Sequence, residues 1–239
     1  MNLKNTILVL ALSAACLTAC KKDNGEKEPE QAQFEQVSKY IKKYTTGLVE
    51  VTQLPLPDTI SRRARSYFSF DKMDFVDASK VMTQEWDFHI RGLEASVIWP
   101  NNGATVDEEQ PWYENTARVN VKSIFKKFDE VNEVPSDMVF DNDKNNNVIS
   151  TAGYDREPYT LSAFYWAYDA YDIDGVHTHY IPYTNRTHIF KLTDGRYVKF
   201  QMINTYNNTP DKNSATSRKG YLSFRYIISK AGSKDLKTK

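Results

Sequence analysis

Apolar and polar positions alternate with period two over most of the chain from residue 65 onward. "RSYFSF", Arg65 to Phe70, alternates around aromatics. In "EWDFHIR", Trp86, Phe88 and Ile90 fall on one face and Asp87, His89 and Arg91 on the other. "ASVIW", Ala95 to Trp99, is a further β-rich run closed by the turn signal "PNNG", and "ARVNV", Ala117 to Val121, follows. The clearest hairpin is "THIFKL", then Asp194-Gly195, then "RYVKFQMI". Asp-Gly between two alternating runs predicts a two-residue turn. "GYLSFRYII", Gly220 to Ile228, reads as the closing strand. One segment breaks the rule. Phe34, Val37, Tyr40, Ile41, Tyr44 and Leu48 recur at helical spacing, which predicts one amphipathic helix over residues 32 to 48. Short strands separated by turn signals give an all-β fold class: a mostly antiparallel β domain with one N-terminal helix and a few short helical turns.

The start of the chain has a different character. "MNLKNT" supplies one positive charge, and "ILVLALSAACLTA" is an apolar run of signal-peptide length. It ends in "LTAC", Leu17 to Cys20, which looks like a bacterial lipobox, where a small residue precedes the cysteine that carries the lipid. Residues 1–19 are expected to be a lipoprotein signal peptide. Residues 20–33 are then the lipidated Cys20 and a polar tether, and residues 34–239 a single β-rich domain. The residue after Cys20 is Lys21, not the aspartate that retains some lipoproteins in the inner membrane. The expected location is the outer membrane, lipid-anchored on its surface or periplasmic face, with shedding an option. Two or more acyl chains make such an anchor stable.

Cysteine usage narrows the chemistry. The sequence has two cysteines, Cys16 and Cys20. The first leaves with the signal peptide and the second takes the lipid, so thiolate catalysis and cysteine-ligated zinc or iron–sulfur sites are excluded for the mature chain. Charge is balanced, with Lys plus Arg and Asp plus Glu both 31, and gives no electrostatic case for nucleic acid. The nine glycines form no phosphate loop, and neither a G-x-S-x-G elbow nor an H-E-x-x-H helix occurs. "DNDKNNN", Asp141 to Asn147, lacks the glycine and closing glutamate of a calcium loop and reads as a polar loop. No catalytic function is expected.

Three of the four histidines fall within "VHTHYIPYTNRTH", Val176 to His188. In an extended segment His177 and His179 project from one face, roughly 7 Å apart along the backbone. Such a pair can grip one metal ion from one side. It cannot sandwich a porphyrin, whose axial donors approach from opposite faces, so with haem one of the two is the ligand and its partner comes from elsewhere. His188 shares a strand face with Phe190 and Leu192 and reads as a core or half-core residue. His89 lies on the polar face opposite Phe88 and reads as a surface or hydrogen-bonding residue. The aromatic stretch Tyr159 to Tyr183 suits a flat apolar ligand as well as ordinary sheet packing.

Several segments together resemble the HmuY family of haem-binding outer-membrane lipoproteins. They are "ARSYFSFDKMDFV" followed by "EWDFHIRG", then "EVPSD" at Glu133 to Asp137, "TDGRYVKFQMINTY" at Thr193 to Tyr206, and "KGYLSFRYI" at Lys219 to Ile227. The likeness covers most of residues 60 to 229, with lipobox and tether in the expected place. It implies an all-β fold holding one haem (iron protoporphyrin) between loops, for delivery to an outer-membrane TonB-dependent haem receptor. It also implies one axial ligand in the His177–His179 segment. The second would lie between the Val-Pro-x-Asp element and the strand of Trp166. That span contains no histidine, and Met138 and Tyr154 are its candidate iron donors. No metal other than haem iron is expected. The alternative is a relative that has lost haem and serves as an accessory, interaction or glycan-binding module.

Overall fold

In the computed structural model the described residues are 33–57, 64–91, 98–105, 108–140, 167–171, 177–207 and 218–238. They form thirteen strands, and every pairing between them is antiparallel. The strands are β1 (Phe34–Ser38), β2 (Ile41–Tyr44), β3 (Leu48–Pro55), β4 (Arg65–Ser69), β5 (Asp74–Val76), β6 (Phe88–Arg91) and β7 (Ile98–Pro100). They continue with β8 (Asn120–Ile124), β9 (Ala167–Tyr171), β10 (His177–Pro182), β11 (Thr187–Lys191), β12 (Tyr197–Tyr206) and β13 (Lys219–Ile228). The helical elements among the described residues are two single 3-10 turns, Ala78–Lys80 and Phe128–Glu130. The protein is all-β, as the alternating patterns predict.

Seven strands form one sheet in the order β1-β2-β3-β13-β12-β11-β8. Four more form a second, β5-β4-β6-β7, and β9 with β10 make a separate two-stranded ribbon. The two larger sheets meet through aromatic side chains. Phe68 and Phe70 from the β4 region and Phe88 from β6 meet Phe190, Phe200, Phe224 and Tyr226 from β11, β12 and β13. Ring centroids lie 5.1 Å apart for Phe68–Phe224, 5.2 Å for Phe70–Phe190 and 5.7 Å for Phe88–Phe200. Edge-to-face geometry prevails, as the ring quadrupoles favour. Each such ring is fully buried and contributes about 2–3 kcal/mol of transfer free energy. Tyr226 brings a hydroxyl into this core and donates it to Phe70 O at 2.8 Å, which avoids a buried unpaired polar group.

The period-two pattern sends the alternate residues of β12 and β13 to the opposite face of the large sheet. A second, smaller cluster forms there from Val131, Val134, Ile189, Ile227 and Leu236. The segment after β8 and the C-terminal residues tie together over it, with Val134 N–H donating to Lys234 O at 2.9 Å and Leu236 N–H to Asn132 O at 2.8 Å. Lys199 is sealed under this cover. Its ammonium donates to Val131 O at 2.8 Å and sits 4.2 Å from the Phe128 ring centroid. Burial is the main cause that pulls its pKa down to about 8.

Three sequence expectations are corrected by the structure. The helix expected over residues 32 to 48 is a β-hairpin, β1 and β2, in register Phe34↔Tyr44, and it joins the large sheet through β2 and β3. Of the six residues at helical spacing only Ile41 is buried, so no apolar stripe faces the core. Val37, Ile41, Thr45 and Thr46 are β-branched, and Gly47 takes φ +86° in the turn into β3, where a helix would have to continue. The Asp194-Gly195 turn is also different. Gly195 N–H donates to Leu192 O at 3.0 Å and Leu192 N–H to Arg196 O at 2.8 Å, with only Gly195 at positive φ. That is a three-residue loop ending in a left-handed glycine, not the two-residue turn. Finally, His89 is not at the surface. It is 1% exposed, stacked on Trp99 with an 8° interplanar angle and met edge-on by Trp112 at 4.7 Å. The loop after β7 brings Trp112 over the face of β6 that alternation assigns to solvent.

Candidate functional site

Two neighbouring features concentrate the functional chemistry: the β9–β10 ribbon and a groove on the outer face of the large sheet. Strand β10 begins at His177 and pairs with β9 in the register His177↔Tyr171, His179↔Ala170, Tyr180↔Asp169 and Ile181↔Tyr168. The extended conformation expected for the histidine pair is therefore present in the backbone. The register shifts between His177 and His179, so a β-bulge separates them. A bulge adds one residue to one strand, bends it and re-aims the side chains on either side. Strict same-face projection of the two imidazoles is thus not enforced by the ladder. The side chains of residues 177–181 lie outside the described part.

The other candidates are placed as follows. Met138 is half-buried and packs against the second cluster, with its N–H donating to Pro135 O at 3.1 Å. Tyr154 and Cys20 lie outside the described residues, as does the polar loop 141–147. His188 is in the core as expected. Its Nδ1 is 2.6 Å from Ser123 Oγ across the β8–β11 pair, and burial, with Arg186 adding repulsion, pulls its pKa to about 3. It is a neutral, hydrogen-bonded imidazole enclosed by protein. Among the described residues no group of three His, Cys, Asp or Glu side chains is arranged to hold a metal ion.

The groove has a volume of about 730 Å³. Its floor is the stretch of β3, β13 and β12 around Glu50, Thr52, Gln53, Ser223, Arg225, Gln201 and Ile203, and its wall is Pro182, the last residue of β10, with Tyr183 and Thr184 after it. Two irregularities open it. On one side of Ser223, Thr52 and Gln53 form an extra stretch in β3, because Leu222 pairs with Leu54 but Phe224 with Val51. On the other side β12 gains a residue between Met202 and Asn204. Gln53 takes φ +54°, a left-handed conformation that costs a non-glycine residue about 1–2 kcal/mol. Its N–H donates to Ser223 Oγ at 2.9 Å and its carboxamide to Asn207 O at 2.6 Å.

Charges in the groove are few and held by local partners. Glu50 Oε2 accepts the Tyr44 hydroxyl at 2.7 Å. Arg225 lies opposite Glu50 in the ladder, yet it turns to Gln201 Oε1 at 3.0 Å and Asp129 Oδ2 at 3.1 Å, over the Phe128 ring. On the wall, the Arg186 guanidinium stacks 3.9 Å from the Tyr183 ring centroid and sets its orientation. Sequence reasoning missed this groove. Its polar residues are scattered over β3, β12 and β13, and only the sheet order brings them together.

No family model matches the sequence, and no curated protein matches it. Similar solved structures include the following two. One is a candidate lipoprotein from Bacteroides fragilis NCTC 9343, with 12% sequence identity over 77% of this chain and 91% of that one, at a TM-score of 0.40. The other is described as an HmuY-like heme binding protein candidate from Bacteroides vulgatus ATCC 8482, with 15% identity over 76% of this chain and 92% of that one, at a TM-score of 0.41. Similarity at this level assigns no residue and no ligand to the present chain.

Proposed function

We propose that the protein is a haem-binding lipoprotein of the haemophore type, which captures haem at the β9–β10 ribbon and passes it to an outer-membrane TonB-dependent receptor. The reading involves no catalysis. The observation that carries it is the ribbon itself: two of the four histidines sit at the start of β10, separated by a bulge, in a hairpin outside both large sheets. The order of strand sequences that resembles the HmuY family supports the same reading, as does the lipobox at Cys20.

The donor chemistry decides where a porphyrin fits. The groove's described lining offers no imidazole, and its one thioether, Met202, is 3% exposed and belongs to the aromatic core. Haem iron therefore does not fit the groove. The ribbon is the segment that carries the imidazoles: there His177 or His179 would hold the iron, with Met138 or Tyr154 as the second donor. Bound haem would supply a single iron centre whose preference follows that second donor: a thioether favours ferrous iron and a phenolate favours ferric iron.

Titration of the purified protein with haemin, followed by absorption spectroscopy in both redox states, tests the proposal. A shifted Soret band that saturates at one equivalent is expected, and it should be lost in the double variant His177→Ala with His179→Ala. An absent shift in either redox state, or an unchanged spectrum and affinity in the double variant, refutes it. Single changes are less informative, because two adjacent imidazoles can substitute for one another.

A further inference from the structure

The groove over β3, β13 and β12 has features that haem binding at the ribbon does not use, and its chemistry selects a ligand class. Its volume, about 730 Å³, lies within the range of small-molecule sites. The floor offers amide, hydroxyl, carboxylate and guanidinium groups within a few residues of one another, together with Ile203, which is 49% exposed. Placing a porphyrin or another flat apolar ligand there would strip water from Glu50 and Gln53 without replacing it, a strongly unfavourable exchange.

Other classes are disfavoured for separate reasons. A polyanion such as a nucleotide needs a surplus of cations. The floor supplies one, Arg225, already paired with Asp129 and set opposite Glu50. An extended peptide gains its affinity by adding to a sheet edge. The floor strands are interior: β3 is paired with β2 and β13, and β12 with β13 and β11. What remains is a neutral, polyhydroxylated molecule with apolar ring faces. Amides can engage neighbouring hydroxyls as donor and acceptor and a carboxylate can accept from two of them, while carbon-bound hydrogens pack on Ile203, Pro182 and the oriented Tyr183 ring.

We infer that this groove is a binding site for a short neutral glycan, separate from the haem site proposed at the ribbon. The two bulges and the left-handed Gln53 shape its floor. They curl three adjacent strands at one level, around Ser223, where a regular sheet would be too flat to enclose a sugar ring.

The test uses the full-length protein, solubilised in detergent, on an array of neutral oligosaccharides, with calorimetric titration of those retained. Saturable binding to one or more is expected. Ile203→Arg, at an exposed position, should block the groove, and Glu50→Ala should remove an acceptor. Each should weaken the same glycan by about ten-fold or more, the scale of one charged hydrogen bond, while the circular dichroism spectrum stays that of the folded protein. Glycan binding should also survive the double change His177→Ala with His179→Ala, and haemin binding should survive Ile203→Arg. No retained neutral glycan overturns the inference. So does glycan binding that both groove variants leave intact, or that the histidine double variant abolishes.

Discussion

Replacing Asp87 with asparagine should make the protein more stable at about pH 8 and leave it nearly unchanged at about pH 4. Asp87 lies just before β6, at the lower rim of the aromatic core. Its Oδ2 accepts the Phe70 N–H at 2.7 Å, and its backbone ties β4 to β7 through Phe68 O and Asn101 N–H. Burial is the main cause that raises the carboxyl from 3.8 to about 7. The Phe70 N–H and the nearby Arg196 act against the rise, and the carboxylates of Asp71 and Asp194 add to it. Arg196 is itself committed to those two acids, bidentate to Asp71 at 2.6 and 2.9 Å and to Asp194 at 2.6 Å, so little of its charge is left for Asp87.

The sign follows from proton linkage. A carboxyl whose folded-state pKa lies above its unfolded value binds more protons in the folded state, so stability falls as pH rises from about 4 to about 7 and then levels off. A rise from 3.8 to about 7 corresponds to a ceiling of about 4 kcal/mol. Asp87 is only half-buried, so water screens part of its charge, and about 2 kcal/mol is the working expectation. Asparagine keeps an acceptor for Phe70 N–H and never ionises. Urea unfolding of both proteins across this pH range, read by fluorescence of the buried Trp86, Trp99 and Trp112, measures the difference directly. Asp71, whose carboxyl Arg196 holds below the usual range, shifts stability in the opposite direction but is common to both proteins. A stability difference that stays constant with pH, or that turns against asparagine as pH rises, would refute the reasoning.

Two further predictions rest on other parts of the chain. Gly103→Ala should cost about 3 kcal/mol in urea unfolding, because a Cβ there collides with the backbone of Asn115, which cannot swing aside as a flexible side chain would; a loss under about 1 kcal/mol counts against the rigidity of that loop. Cys20→Ala should release the protein from membranes, since "LTAC" is the only anchoring signal read in the sequence and no helix among the described residues is long and apolar enough to cross a bilayer. A variant that stays fully membrane-bound in high salt in a fractionation experiment would defeat the lipobox reading.

The strands were legible where both halves of the period-two pattern had a use. In β12, Val198, Phe200 and Met202 meet the second sheet, while Lys199 and Gln201 meet the opposite face, so alternation in sequence matched alternation in space. It misled at β6, where Asp87 and His89 alternate with Phe88 and Ile90 as a half-solvated strand would. The face given to solvent is covered by Trp99 and Trp112, and Trp112 arrives from a loop with no periodicity of its own. The hairpin at residues 34–44 failed for a different reason. Apolar residues three and four apart satisfy a helix template equally well whether or not they form a stripe. What distinguishes the cases is the partner strand β3, which supplies Val51 opposite Ile41 and lies beyond the window in which the period was read.

The two parts of the candidate site differ in legibility for the same physical reason. Histidines at 177 and 179 stand out in any reading, because imidazole is rare in this chain and its chemistry is specific; the extended backbone they required is there. The bulge between them is a property of pairing with β9, which offers Tyr171 and Ala170 to the two histidines in place of regularly spaced partners, and no local pattern encodes it. The groove is further from the sequence still. Gln53, Gln201 and Ser223 are ordinary surface polar residues until β13 is inserted between β3 and β12, and a glutamine at φ +54° is invisible without coordinates. Liganding side chains are written in residue identity, whereas a cavity is written in sheet order and in the places where a register slips. A ligand that needs one strong donor can therefore be read from a short stretch of chain. A ligand held by many weak hydrogen bonds cannot, and the groove's polar floor, assembled from three strands around Ser223, is of that second kind.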